Sequence, residues 1–165
     1  MIEDIVITDF EDKYQPGVDK LLDSIQDEYA ENIYGPGVLK MKDAAKLPGR
    51  RYWVALRNGE VVGTVGLILL GNNNAVLKSM LLHKDYRGSD RMLAYRLMTT
   101  AMGHARNSGA ATLYLGTMAQ FEAAIAFYRK HRFTEIGESE LPVDFVGNPV
   151  DVVFFKVDYN IRFRD

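Results

Sequence analysis

The chain has 165 residues, 47% of them apolar and 25% charged, with a formal charge of −2 and a pI near 5.9. That length fits one domain burying roughly 70% of its unfolded surface, and the near-average composition excludes wholesale disorder and fibrous architectures. The slight acidity removes the electrostatic footprint of a dedicated nucleic-acid binder, and the absence of cysteine excludes disulfides, thiolate metal sites and a cysteine nucleophile.

The opening MIEDIVITDFEDK carries acidic residues at once and no signal-peptide core. The longest apolar run, Val61 to Leu70, is broken by Gly63, Thr64 and Gly66 and is too short to span a bilayer. A cytoplasmic protein without membrane contact is expected, folded as a single domain over residues 1–165. Ile2 to Phe10 alternates and suits a first strand. From Gln15-Pro16, the residues Val18, Leu21, Leu22, Ile25 and Tyr29 recur at steps of three and four, which predicts a helix with one buried stripe. Tyr34-Gly35-Pro36-Gly37 breaks the chain, and Val38 to Leu47 reads as a short helix or ordered loop.

Tyr52 to Leu56 and Glu60 to Leu70 flank Arg57-Asn58-Gly59, a hairpin signal because Asn and Gly tolerate positive φ. A second turn at Gly71 to Asn74 leads into a strand over Ala75 to His83. Leu93, Leu97, Ala101 and Ala105 then fall four apart, predicting a helix that closes near Asn107-Ser108-Gly109. Thr112 to Gly116 reads as strand and Ala119 to Lys130 as helix. Phe133 to Glu138 and Val152 to Asp158 read as two closing strands. Val152, Val153, Phe154 and Phe155 are apolar at successive positions and so on both faces, which makes a homodimer through the closing strands an expectation.

Within this order, Ala75 to Phe133 carries the chemistry. A strand feeds a helix start bracketed by Lys84, Arg87 and Arg91, and such a start offers N–H groups and positive charge to a phosphate-bearing ligand. A nucleotide-containing cofactor is implied. His83, His104 and His131 are scattered without H-x-x-x-H spacing, so no zinc site is expected.

The same residues resemble the GNAT superfamily of acetyl-CoA dependent N-acetyltransferases over roughly Ile5 to Val157. Leu82-His83-Lys84-Asp85-Tyr86-Arg87-Gly88-Ser89-Asp90-Arg91-Met92 occupies the place of its V-x-P-x-Y-R-G-x-G-x-G segment. Ala124 to Phe133 matches A-x-x-F-Y-R-K-x-x-F. Tyr114-Leu115-Gly116-Thr117, Leu141-Pro142-Val143-Asp144-Phe145 and Val150-Asp151-Val152-Val153-Phe154-Phe155 resemble further motifs of a bacterial group within it. Asp85 and Asp90 depart from the pattern where Gln or Arg and Gly or Ala are usual, Phe121 stands where Asn is common, and Arg132 replaces a glycine.

The resemblance implies an α/β fold: a mixed sheet of about seven strands, mostly antiparallel with a parallel, splayed central pair, flanked by about four helices. It also implies acetyl transfer from acetyl-CoA to an amine-bearing acceptor. Main chain at Met80, Leu81 and Leu82 would pair with the cofactor arm, and Arg87, Gly88, Ser89, Asp90, Arg91 and Met92 would hold the pyrophosphate. Phe121, Ala124 and Phe127 would line the arm. Tyr128 matches the tyrosine that protonates the leaving thiolate, a phenol of reference pKa about 10 serving a thiol of about 8.5. Relatives place a base glutamate on the strand where Ala75-Val76-Leu77-Lys78 stands here, which leaves Glu28 or Glu31 near the end of the first helix as candidates. The acidic Asp27, Glu28 and Glu31 cluster suits a cationic acceptor but equally a solvated helix end. Asp85, Asp90 and the missing strand glutamate keep open an alternative, a CoA-binding module of the same fold without catalysis. The loop Leu141 to Pro149 is long enough to shape a substrate mouth.

Overall fold

A computed structural model describes residues 4–35, 37–88 and 92–159. Seven strands form one mixed sheet, β1 Ile5–Asp9, β2 Arg50–Arg57, β3 Glu60–Leu69, β4 Asn74–Leu82, β5 Thr112–Thr117, β6 Thr134–Ile136 and β7 Val153–Asp158, in the order β1-β2-β3-β4-β5-β7-β6. Only β4 and β5 run parallel; every other neighbouring pair is antiparallel. Among the described residues the α-helices are α1 Gln15–Gln26, α2 Met41–Ala44, α3 Leu93–Asn107 and α4 Glu122–Lys130.

The hairpin and strand turns form where the sequence tolerates left-handed backbone. Asn58 and Gly59 have φ of 50° and 80°, and Asn72 and Asn73 have 57° and 60°. Alternation along β2 splits the core in two. Tyr52 and Val54 pack with Val18 of α1 and with Met41 and Ala44 of α2, whereas Trp53 and Ala55 pack with Leu97 and Ala101 of α3. Glycines make room for a cross-strand ring at Gly66 and for helix α3 at Gly63. A methyl group at Gly66 would lie 2.4 Å from the Tyr52 ring, and one at Gly63 would lie 3.0 Å from Leu97 Cδ1.

Several boundaries differ from the sequence expectation. α1 stops at Gln26, short of Tyr29, because the Gln26 side chain turns to the exit loop. Its Nε2 donates to the Glu31 carbonyl at 2.8 Å, and its Oε1 accepts from the Ile33 N–H at 2.9 Å. α4 starts at Glu122 because a turn precedes it, with Phe121 N–H donating to Met118 O at 3.1 Å. β7 lies between β5 and β6; of the apolar run, Phe154 and Phe155 are buried, Val153 is half-buried, and Val152, just before the strand, is 64% exposed. No helix among the described residues is long and apolar enough to cross a membrane.

Candidate active site

Strands β4 and β5 pair only at Asn74↔Thr112, Ala75↔Leu113 and Val76↔Tyr114, then part, while β4 stays paired with β3 as far as Leu82. The β4 backbone beyond Val76 therefore presents an unpaired edge to the opening, a ready partner for an extended ligand. A bulge re-aims this edge. Gly66 faces Lys78 and Thr64 faces Leu81, so Ser79 and Met80 oppose Val65 alone. Ser79 takes φ 51°, a left-handed conformation that costs a non-glycine residue about 1–2 kcal/mol. The wholly buried Thr64 holds it there, its hydroxyl donating to the Ser79 carbonyl at 2.6 Å.

The opening continues into a cavity of about 480 Å³. Met80, Leu81 and Leu82 form its strand wall, Phe121, Ala124, Phe127 and Tyr128 its helix wall, and Arg87, Gly88 and Met92 its rim. Ser89, Asp90 and Arg91 lie outside the described residues. Gly88 has φ 109° with open space around its Cα. Met92 has φ 55° and is 50% exposed, so it takes a glycine-like conformation directly before α3. Tyr29 and His131 also line the cavity, whereas the sequence pointed to Tyr29 only as part of the α1 stripe and to His131 only as one of three scattered histidines. Tyr29 meets Phe121 edge-on at 5.1 Å, and His131 packs between Phe127 at 4.4 Å and Tyr95 at 5.2 Å. Burial, then the Lys130 charge, pushes the His131 pKa below its ordinary value, which leaves the imidazole neutral at neutral pH.

Tyr128 is 5% exposed, its ring held by Phe127, Phe133 and Phe155 at 5.8, 5.4 and 5.9 Å. Its hydroxyl makes no hydrogen bond among the described residues, and no sealed side-chain oxygen there lacks a partner, so the oxygen opens to the cavity it lines. Burial pushes the phenol pKa up, and the nearby Asp151 carboxylate pushes it further. The group is a protonated donor at neutral pH.

The acidic residues after α1 stand elsewhere. Glu28 forms a two-point ion pair with Arg87, Nη1 to Oε1 at 2.6 Å and Nη2 to Oε2 at 2.8 Å, while Arg87 Nε donates to the Leu82 carbonyl at 3.0 Å. The Arg87 hydrogen bond, against a smaller effect of burial, holds the Glu28 carboxyl below its ordinary pKa, which makes it a weaker proton acceptor. Glu31 is exposed, and neither glutamate is among the residues lining the cavity. Arg87, expected to face phosphate, is thus engaged by a carboxylate.

The loop between β6 and β7 is pinned at several points. Asp144 Oδ2 accepts from Gly71 N–H at 2.8 Å, Phe145 meets Phe154 edge-on at 6.0 Å, and a methyl group at Gly35 would lie 2.5 Å from Pro149 Cδ. Trp53 is buried against His104 at 5.7 Å and belongs to the core. Among the described residues no cluster of three or more His, Cys, Asp or Glu could hold a metal ion.

A family model described as Acetyltransferase (GNAT) family matches residues 18–133. The chain is 30% identical over 130 residues to an uncharacterized N-acetyltransferase, YjgM, of Escherichia coli K12, covering 73% of this chain and 77% of that one. A solved GNAT-family acetyltransferase from Staphylococcus aureus Mu50 shares 27% identity with a TM-score of 0.79, over 93% of this chain and 98% of the other. The PaiA N-acetyltransferase of Thermoplasma acidophilum, solved with coenzyme A, shares the fold at 17% identity and TM-score 0.71, over 94% of this chain and 99% of that one.

Proposed function

The chain belongs to the GNAT acetyltransferase family, and on that premise we propose that this N-acetyltransferase moves an acetyl group from acetyl-CoA to the primary amine of an acceptor, directly, within a ternary complex. One observation carries the reading: the cavity opens where β4 leaves β5, and the Tyr128 hydroxyl stands in its wall. The apolar walls and open strand edge fit a pantetheine arm, and a CoA-bound relative of the same fold supports that ligand.

Acetyl-CoA supplies an activated acyl thioester. The N–H groups of the Met80 to Leu82 edge, re-aimed by the Ser79 bulge, hold the arm and polarise the carbonyl. Gly88 and Met92 border the place of the pyrophosphate; the family resemblance assigns Ser89, Asp90 and Arg91 to the same ligand, and these three lie outside the described residues. Phe121, Ala124 and Phe127 exclude water along the arm. Tyr128 donates a proton to the departing sulfur. Its raised pKa would oppose transfer in water, but the same burial raises the proton affinity of a thiolate placed beside it. The base role goes to neither Glu28, held as an anion by Arg87, nor the exposed Glu31. Without cysteine there is no thiol for an acyl-enzyme, which favours direct transfer, and a chain without thiols suits the reducing cytoplasm.

Calorimetric titration with acetyl-CoA, followed by thiol release against a panel of amines, tests this. Heat with amine-dependent release is expected. A second reading, CoA binding without transfer, is favoured by the engagement of Arg87 with Glu28, and it predicts heat with no amine-dependent release.

A further inference from the structure

Beyond Val76↔Tyr114, the last pair that β4 and β5 share, Lys78 and Gly116 occupy corresponding positions on the two diverging strands. Lys78 lies in register with Gly66, and Gly66 with Tyr52, so its side chain shares the α1 and α2 face of the sheet with Tyr52. Lys78 is half-buried, and its Nζ donates to a neutral atom, Asn148 Oδ1, at 3.1 Å. Across the opening, Asp151 lies on Gly116. A methyl group there would stand 2.8 Å from Asp151 Oδ2, and the same oxygen accepts the Asn148 N–H at 2.9 Å.

Among the described residues Lys78 has no carboxylate, and Asp151 no cation, within ion-pair distance. Two opposite charges are thus half-buried on either side of Asn148, each hydrogen-bonded to it but not to the other, an arrangement that compensates their solvation costs only in part. Burial pushes the Lys78 pKa down, with Arg50 adding and Asp151 opposing. Burial pushes the Asp151 pKa up, with the Asn148 N–H and Lys78 opposing. Lys78, Asn148 and Asp151 are not among the residues lining the cavity. They stand beside it, because Gly116, on which Asp151 lies, is in register with Phe154, and the next residue, Phe155, backs the Tyr128 ring at 5.9 Å. Asp151 also raises the Tyr128 pKa.

We propose that Lys78, Asn148 and Asp151 form the acceptor subsite, and that the acceptor is a small amino acid, its amine on Asp151 and its carboxylate on Lys78; this rests on the transferase reading above. Asp151 takes one proton from the acceptor ammonium. The freed nitrogen attacks the thioester carbonyl, the C–N bond forms and the C–S bond breaks, and Tyr128 gives its proton to the sulfur. A second nitrogen proton restores Tyr128, the third remains in the amide, and Asp151 returns its proton to solvent, so each turnover yields one amide, one thiol and one proton.

The experiment compares each standard L-amino acid and 4-aminobutyrate with its own primary amide, by thiol release from acetyl-CoA and by calorimetric titration of CoA-loaded protein. At least one acid is expected to exceed its amide by about tenfold or more in kcat/KM, the scale of one charge-assisted contact. Lys78→Met collapses that ratio through KM and removes the calorimetric signal, and Lys78→Arg keeps both. Asp151→Asn lowers kcat/KM for acid and amide alike by about 100-fold, with CoA heat retained as evidence of folding. Equal use of acids and amides, no acid binding to CoA-loaded protein, or a wild-type rate in Asp151→Asn overturns the subsite. Absence of heat with acetyl-CoA overturns the transferase reading and the subsite with it, whereas heat with acetyl-CoA and none with any acid overturns the subsite alone.

Discussion

Arg87 grips Glu28 through two parallel hydrogen bonds, tying the turn after α1 to the glycine turn after β4 at the rim of the cavity. The pair spans 59 residues of sequence and joins two segments that neither helix nor sheet connects.

Glu28→Gln is expected to cost about 1 kcal/mol near neutral pH, because the pair is charge-assisted yet partly exposed. Its carboxyl pKa is lowered on folding from 4.5, chiefly by the Arg87 hydrogen bond, so the stabilisation is complete above 4.5 and is lost as pH falls through the lower folded value. Urea unfolding should separate wild type from Glu28→Gln at about pH 7 and make them converge near pH 3. A constant difference across that range would assign the effect to packing.

Tyr128→Phe leaves the ring contacts with Phe127, Phe133 and Phe155 in place and removes only the hydroxyl. Turnover should fall by about 100-fold, the lower end for a general acid, with CoA affinity unchanged by calorimetry. Wild-type turnover would remove the proton-donor role.

Thr64→Val deletes the donor that fixes the Ser79 carbonyl while keeping the buried shape. A loss of about 1–3 kcal/mol is expected from the unsatisfied Ser79 carbonyl, offset to the extent that Ser79 relaxes from its left-handed conformation. Because the bulge aims the Met80 to Leu82 edge, CoA should bind about tenfold more weakly than this stability change alone accounts for. Thermal unfolding and CoA titration of the same sample check both parts.

Gly116→Ala places a methyl group 2.8 Å from the Asp151 carboxylate. Overpacking of this kind costs about 1–3 kcal/mol when the neighbour cannot yield, and here Asp151 must turn away. Amine turnover should drop while CoA heat persists. A parallel loss of both would show that the methyl group disturbs the cofactor cleft itself.

Much of the fold was legible because period and turn chemistry agreed. The stripe Val18, Leu21 and Ile25 is buried as its spacing required, and Asn58-Gly59 turns where it should. The Arg87-Gly88 turn and the α4 motif announced the strand, turn and helix around the cavity, and their residues line it together. What stayed hidden depended on contacts across long sequence separations. Nothing local marks Glu28 as the partner of Arg87, and the helical step to Tyr29 hid the early stop at Gln26. Lys78 inside a strand and Asp151 in the closing motif were both in plain view, but only the divergence of β4 from β5 sets them opposite each other. Thr64 between Gly63 and Gly66 read as an interruption of an apolar run; it is the donor that holds the bulge.

The placement of β7 between β5 and β6 has a consequence for how the molecule is assembled. Until the ribosome has delivered residues through Asp158, β5 has a bare edge and Tyr128 lacks Phe155 behind its ring. The half of the sheet beyond β4 is therefore completed last, by insertion of a late strand between two earlier ones. Such distant pairing slows folding and leaves strand edges open to other chains in the interval. Nascent chains of this enzyme should be inactive, and dependent on chaperone protection, up to that final insertion.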